Sequence, residues 1–387
     1  MTEGRAAVPK VARRGAIDPF IVMEVMKAAN ERAAAGGEVL HMEVGQPSTP
    51  APRGVIEAAR AALGADRLGY TEALGIPTLR EAIARHYRDY YGVAVPPERV
   101  VVTTGSSGAF LLCFLAAFDV GDRVALVAPG YPGYRNILSA IGVEPVVLPA
   151  GPDTRFQPDP DMLAAAGRLD GLLVASPANP TGTMLDRAAL AALVSHCADR
   201  GIRLVVDEIY HGITYGGRAE TVLALSDDAV VINSFSKYYS MTGWRLGWMV
   251  VPEALTRPVE CLAQNLFISP PSLAQIAAIA AFDCRDELDA NVARYARNRE
   301  ILLSELPRAG LDRLAPCDGA FYIYADVRRF TDDAPAFCAR MLREIGVATT
   351  PGLDFDPARG KGFVRFSFAG DTETMAEATR RLTAWLG

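Results

Sequence analysis

DAVVINSFSKYYSMTGWRLGW, residues 228–248, joins an unbroken apolar run to a lysine, and the fold turns on how that junction is read. The run AVVIN has the length and β-branched content of a strand buried on both faces. Lys237 follows at its carboxyl end, with hydroxyl residues on one side and Gly-Trp-Arg on the other. Burying an isolated charge is costly, so a lysine there needs a partner or a chemical task. Taken alone, the same residues fit a surface loop whose lysine snorkels. The rest of the chain decides between the two.

The same grammar recurs upstream. RVVVTTG (99–105) runs into SSGAFLLCFLAAF, and DRVALVAPGYP (122–132) ends in a turn. VEPVVLPA (143–150), LDGLLVASPANPTG (169–182) and IRLVVDEIY (202–210) follow, with the helical run LDRAALAALVSHCADRG (185–201) between the last two. Continuous apolar strands punctuated by helices predict an α/β fold, a mostly parallel sheet covered by helices. In such sheets ligands sit outside the carboxyl ends of the strands. Ser106, Ser107, Tyr131, Asn179, Asp207, Tyr210 and Lys237 all fall at those ends. Their convergence in one crevice is the main inference from the pattern. After Pro252 the sequence turns helical, breaks at SPPS (269–272), and continues as one long helical run, LAQIAAIAAFDCRDELDANVARYARNREILLSEL. GAFYIYADV, GVATTPGLDF and GFVRFSFAG, with a last helix, read as a smaller α+β unit, on which the amphipathic run FIVMEVMKAANERAAAGG (20–37) packs. The expected division is a large domain over 45–280, a small domain from 15–44 and 281–387, and an N-terminal arm over 1–14.

Composition narrows the function classes. Half of the 387 residues are hydrophobic, 22% are charged, and the net charge is −6, as in a soluble globular chain with a large core. No basic block exceeds the pair Arg13-Arg14, so a nucleic-acid partner is not expected. No apolar run reaches the length of a membrane span. The first residues lack the apolar stretch of a secretory signal, so the expected location is cytoplasmic. Six cysteines without CxxC spacing fit reduced core thiols, and four histidines without ligand spacing make a metal centre unexpected. His211, beside Tyr210, reads as structural.

A pyridoxal phosphate enzyme needs a Schiff-base lysine, a partner for the pyridine nitrogen and a phosphate cradle. Lys237 is the candidate nucleophile, a lysine whose lowered pKa frees a neutral amine. Asp207, ending LVVDE, could hold the pyridine nitrogen protonated; an N-cap or a buried ion pair would use the same residue. Tyr210 and Asn179 could reach the 3-hydroxyl, although ANPTG is also a plain turn motif. Gly105-Ser106-Ser107 opens a helix and so offers an anion site. Ser234 and Arg245 flank the lysine and could add a hydroxyl and a guanidinium fork. Tyr131, in PGYPGY, could stack on the ring, or belong to the core.

These blocks, in this order, resemble the fold type I, class I aminotransferases of the aspartate aminotransferase superfamily. SFSKYYSMTGWRLGW is similar to the family's lysine signature. SPANPTG, VVDEIY, TTGSSGAF, GYTEALGIPTLREAIA and PGLDFDPARGKGFVRFSFA resemble its other blocks, and the likeness spans roughly residues 15–385. The resemblance implies pyridoxal 5′-phosphate on Lys237, which shuttles a proton in a ping-pong exchange between an L-amino acid and a 2-oxo acid. It implies Asp207 at the pyridine nitrogen, Asn179 and Tyr210 at the 3-oxygen, and Tyr131 on the ring. Ser106, Ser107, Ser234 and Arg245 would hold the phosphate, joined by Tyr70 from a neighbouring subunit of a homodimer. Arg365 would grip the substrate α-carboxylate, and the Gly45 backbone would border the substrate. Tyr238 and the Phe355-Asp356 pair depart from the family pattern, as does the lack of a second arginine or lysine for a distal carboxylate. That lack favours aromatic or aliphatic donors. Ile17 and Phe20 lie near the family's specificity segment and equally suit core packing.

Alternatives remain at this level. A C–S β-lyase uses the same constellation with different bond alignment. A nucleotide-dependent dehydrogenase would want a GxGxxG loop, which TTGSSGAF is not. A transcription regulator would need a basic helix-turn-helix, for which the first 40 residues leave no room.

Overall fold

A computed structural model describes residues 9–65 and 67–387; most of the expected arm, residues 1–8, lies outside the described residues. Along the chain the strands are β1 (Leu40–His41), β2 (Val100–Thr103), β3 (Arg123–Ala128), β4 (Glu144–Pro149), β5 (Gly171–Ala175) and β6 (Arg203–Asp207). They continue with β7 (Val230–Ser234), β8 (Gly247–Val250), β9 (Tyr322–Asp326), β10 (Val347–Ala348), β11 (Thr350–Pro351) and β12 (Phe363–Ser367). Seven of them form one sheet in the order β2-β8-β7-β6-β5-β3-β4. The pairs β7–β6, β6–β5, β5–β3 and β3–β4 are parallel, and β8 runs antiparallel to both its neighbours. The expected α/β class is what forms.

Side-chain alternation explains the continuous apolar runs. Val100, Val102, Leu172, Val174, Leu204, Val206, Val231 and Trp248 enter one core cluster. Val101, Leu173, Val205, Val230, Ile232 and Met249, at the intervening positions, enter another on the opposite face. With a period of two and both faces covered, the middle positions of the inner strands are apolar. Polarity gathers toward the strand ends. Asp207 is the last residue of β6, Ser234 the last of β7, and Gly105 follows β2 by two residues.

The smaller unit holds the antiparallel sheet β11-β12-β9 and the parallel pair β1–β10. Its core gathers Leu40 and Met42 with Leu302, Phe321, Ile323, Phe337, Met341, Phe366 and Leu382. The helix Ile21–Ala34 packs against β10 and β11, as the amphipathic run predicts. Two elements differ from expectation. The long helical run is three pieces, Ser272–Ile279, a 3₁₀ turn Ala280–Asp283 and Arg285–Arg308. The break falls at the turn before Cys284, where Asp283 and Asp286 suit a new helix N-terminus. Strand β8 was hidden in GWMV, a run of only four residues that opens on a glycine.

Candidate active site

The carboxyl ends of β2, β3, β5, β6 and β7 surround a cavity of about 240 Å³, closed on its far side by β12 and the start of the N-terminal helix. Gly45, Ser106, Ser107, Tyr131, Asn179, Asp207, Tyr210, Lys237, Arg245 and Arg365 all line it. Residues separated by more than 300 positions in sequence thus share one wall-to-wall space.

Asp207 is buried, with Tyr134 Oη donating to its Oδ2 at 2.5 Å and Ile209 N–H to its Oδ1 at 3.0 Å. Burial pushes its carboxyl up to about 6, against those two hydrogen bonds and the Lys237 charge. Lys237 Nζ donates to the Gly45 carbonyl at 2.5 Å. Desolvation, then the Arg365 and Arg245 charges, bring its ammonium down to about 8, with Asp207 pulling the other way. The site therefore holds an amine that is neutral in part near physiological pH and a carboxylate facing the same cavity.

An anion cradle lies opposite. The helix Gly105–Ala117 aims its first turn at the cavity, with Ser106 and Ser107 on that turn. Gly105 has φ +71°, and a Cβ there would sit 2.5 Å from Arg245 Nη2. Glycine is what lets the guanidinium lie against the helix start. Arg245 itself takes a left-handed φ of +52°, a backbone strain concentrated at this point. Gly247 completes the fit, since a Cβ there would meet the Ser106 nitrogen at 2.9 Å.

A second cationic group faces the cavity from β12. Arg365 is 3% exposed; its Nη1 donates to Asn179 Oδ1 at 2.8 Å and its Nη2 to Thr350 Oγ1 at 3.3 Å and to the Glu43 carbonyl. Its Nε has no partner, and its Cζ lies 4.4 Å from the Tyr322 ring and 4.7 Å from the Phe355 ring. A buried guanidinium lining a cavity suits a carboxylate ligand. Buried carboxylate, weakened amine and anion cradle together are the donor set pyridoxal phosphate needs, and nothing in the wall conflicts with it.

Two expected residues are elsewhere. Ser234 is buried behind the wall, its Oγ 3.0 Å from the Leu246 carbonyl and 2.8 Å from Ser236 Oγ. The structure places Ser236, not Ser234, on the cavity surface. Tyr70 is 85% exposed and does not line the cavity of its own chain. His211 is buried, with Nδ1 2.7 Å from Tyr91 Oη and Nε2 3.0 Å from the Ser176 carbonyl. Both ring nitrogens are spoken for, in keeping with a structural role.

A model of the family "Aminotransferase class I and II" matches residues 37–382. The chain belongs to that family. Its members use pyridoxal phosphate, and this aminotransferase is 55% identical over 382 residues to a valine–pyruvate aminotransferase of Mycobacterium tuberculosis, covering 97% of this chain and 98% of that one. A crystal structure of an aminotransferase from Mycobacterium tuberculosis superposes with a TM-score of 0.96 at 55% identity, covering 98% and 99% of the two chains. An aspartate aminotransferase from Thermus thermophilus, solved with maleate, gives 0.92 at 31% identity over 97% and 100%.

Sequence reasoning missed several wall residues of this aminotransferase. Tyr134 follows Tyr131 by three positions in a helix starting at Pro132, a spacing that puts both on one side. Tyr322 opens β9, and its Oη lies 2.7 Å from Tyr210 Oη. Val22, Met23, Gln46 and Ile209 also line the cavity. For them the sequence carried no signal beyond ordinary amphipathic patterning. Among the described residues no group of ligand-type side chains could hold a metal, and no helix is long and apolar enough to cross a membrane.

Proposed function

We propose that this aminotransferase holds pyridoxal 5′-phosphate in the cavity and exchanges the amino group of an aliphatic L-amino acid for the oxo group of a small 2-oxo acid, one substrate after the other. The observation that carries the reading is the approach of Lys237, Asp207 and Arg365 to one cavity that also contains an anion cradle. When bound, the cofactor supplies an electron sink for the substrate α-carbon. The chain's own residues do the rest.

Lys237 would be the anchoring amine and the group that takes the proton from the substrate α-carbon and returns it, its ammonium already lowered by burial in the cofactor-free chain. Asp207 stays charged against the pyridine nitrogen, with Tyr134 fixing its orientation. Asn179 and Tyr210, on the same wall, would hold the 3-oxygen, and Tyr131 would lie against the ring. Ser106, Ser107 and Arg245 would hold the phosphate, with Ser236 as a further hydroxyl on the wall and Ser234 hydrogen-bonded to it. Arg365 orients the substrate carboxylate and Gly45 gives the substrate room. A Cβ on Gly45 would fall 1.8 Å from Tyr322 Oη.

Among the described residues the charges lining the cavity are Asp207, Lys237, Arg245 and Arg365, each already given a role, so none of these remains for a distal carboxylate. Phe20, Val22, Met23 and Ile209 supply apolar surface instead. That surface, with the likeness to a valine–pyruvate aminotransferase, supports valine as donor and pyruvate as acceptor. Exposed Tyr70 supports a homodimer in which it reaches the phosphate of the second copy. Thr71 N–H, next in the chain, bonds Ser269 Oγ at 3.4 Å. The separate cores support a large domain near 45–280 and a small one from 15–44 and 281–387, with Ala281 and Leu288 packing into the large core and Tyr210 and Ile213 into the small one. Six free cysteines suit a reducing, cytoplasmic setting.

The test is an equimolar assay with valine and pyruvate. Alanine and the 2-oxo acid of valine appearing in equal amounts support the reading. Ammonia released from an amino acid without an acceptor would instead assign the site to a lyase.

A further inference from the structure

The wall that faces a substrate side chain is built on a helix that cannot cap itself. The helix Ile21–Ala34 begins after Phe20, which has no side-chain acceptor to offer its first N–H groups. Those donors are met from 332 and 333 positions away: Ile21 N–H donates to Asp354 Oδ1 at 3.1 Å and Val22 N–H to Asp354 Oδ2 at 3.3 Å. Asp354 is fully buried, and its charge is met by these two N–H groups, the positive end of the helix and the nearby Arg365 and Arg135 guanidiniums.

Asp354 belongs to a short stretch that also shapes the carboxylate anchor. Thr350 pairs with Arg365 across the β11–β12 ladder and its Oγ1 lies 3.3 Å from Arg365 Nη2. Phe355 covers the same guanidinium. The turn between them is hydrogen-bonded, with Phe355 N–H donating to the Gly352 carbonyl at 3.0 Å, and packs so closely that a Cβ on Gly360 would sit 2.2 Å from the same oxygen. One short stretch, residues 350–355, therefore touches the anchor at both ends and grips the helix through Asp354. The segment ahead of the helix is held from the other domain, with the Phe20 ring edge-on to Tyr131 at 5.7 Å and Asn136 Nδ2 donating to the Asp18 carbonyl at 3.3 Å. Phe20, Val22 and Met23 are the residues so positioned on the cavity wall.

We propose that Asp354 is a positioning residue for donor selection: by holding the first turn of the N-terminal helix at a fixed distance from Arg365, it sets the depth of the side-chain pocket. This rests on the reading of the cavity as the amino-donor site. Asp354 touches neither substrate nor cofactor and acts through Val22 and Met23.

The experiment uses the holoenzyme and the variants Asp354→Ala and Asp354→Asn, with two readouts. Hydrogen exchange on peptides spanning 17–25 reads the latch without turnover. Protection there is expected to fall about tenfold in Asp354→Ala, as loss of charge-assisted cap bonds typically gives, while strand peptides of the large sheet stay unchanged. In kinetics, KM for valine is expected to rise about tenfold with kcat nearly constant, and the preference for valine over phenylalanine to shrink. Asp354→Asn keeps one acceptor oxygen and is expected to recover part of both effects; should the alanine variant not fold, it carries the test alone. Unchanged exchange over 17–25, or equal losses for valine and phenylalanine, would overturn the proposal. A wild-type enzyme inert toward every amino donor sinks the functional reading itself, and that is seen before any variant is compared.

Discussion

Tyr134 Oη donates to Asp207 Oδ2 at 2.5 Å, one buried side chain orienting another. The bond favours the charged carboxylate, against the burial that raises its pKa to about 6. Tyr134→Phe removes it and leaves Ile209 N–H as the named donor to that carboxylate. The pKa of Asp207 then rises further, so the acid limb of kcat/KM moves to higher pH. At neutral pH the rate is expected to fall about tenfold, the usual worth of a hydrogen bond to a charged group. A pH–rate profile with an unmoved acid limb would show that Tyr134 does not tune Asp207.

Lys237 gives a pH prediction with a definite sign. Its ammonium is lowered from 10.5 to about 8, chiefly by desolvation and then by Arg365 and Arg245. The rate of pyridoxal phosphate uptake by the cofactor-free protein should therefore rise through about pH 8 rather than near 10.5. Arg365→Leu, losing a positive neighbour, should move that midpoint up; Asp207→Asn, losing the opposing negative one, should move it down. Between those two pH values the folded chain binds fewer protons at Lys237 than the unfolded chain. Lys237 therefore makes the cofactor-free protein more stable as pH rises through that window. Uptake kinetics with the same midpoint in all three proteins would contradict this electrostatic account.

Arg365→Lys tests the carboxylate anchor. Lysine keeps the charge but cannot reach Asn179 and Thr350 while offering a further N–H to a ligand. KM for the amino donor is expected to rise roughly 100-fold with cofactor absorbance retained. An unchanged KM would move the substrate carboxylate elsewhere.

Gly45→Ala tests close approach. The new Cβ would fall 1.8 Å from Tyr322 Oη, which must leave Tyr210, its partner at 2.7 Å. The expected cost is about 1–3 kcal/mol of stability together with a fall in kcat, because the Gly45 carbonyl also receives Lys237. Thermal unfolding and kcat both matching the wild type would mean that the loop relaxes freely.

The sheet was legible because the middles of its strands are continuous apolar runs, a pattern that both-face burial forces on residues such as Val205 and Val206. The same logic located the site, since Asp207 and Lys237 stand where strands end. What stayed hidden has physical causes. Strand β8 lies between two antiparallel neighbours and shows a glycine where the helix start at Gly105 comes close. Ser234 and Ser236 are two residues apart, and which hydroxyl faces the cavity depends on the turn after β7 rather than on residue type. Tyr322 and Asp354 do their work across contacts spanning more than 100 positions, and spacing along the chain carries no trace of those.

The central claim is that Lys237 carries the cofactor. The most direct measurement is the visible absorbance of the purified protein before and after borohydride, followed by mass mapping of the modified peptide. The expected result is a yellow band that bleaches and leaves a pyridoxyl group on Lys237, absent from Lys237→Ala. A protein that stays colourless and unmodified after incubation with pyridoxal phosphate, or one modified at another lysine, would contradict the account.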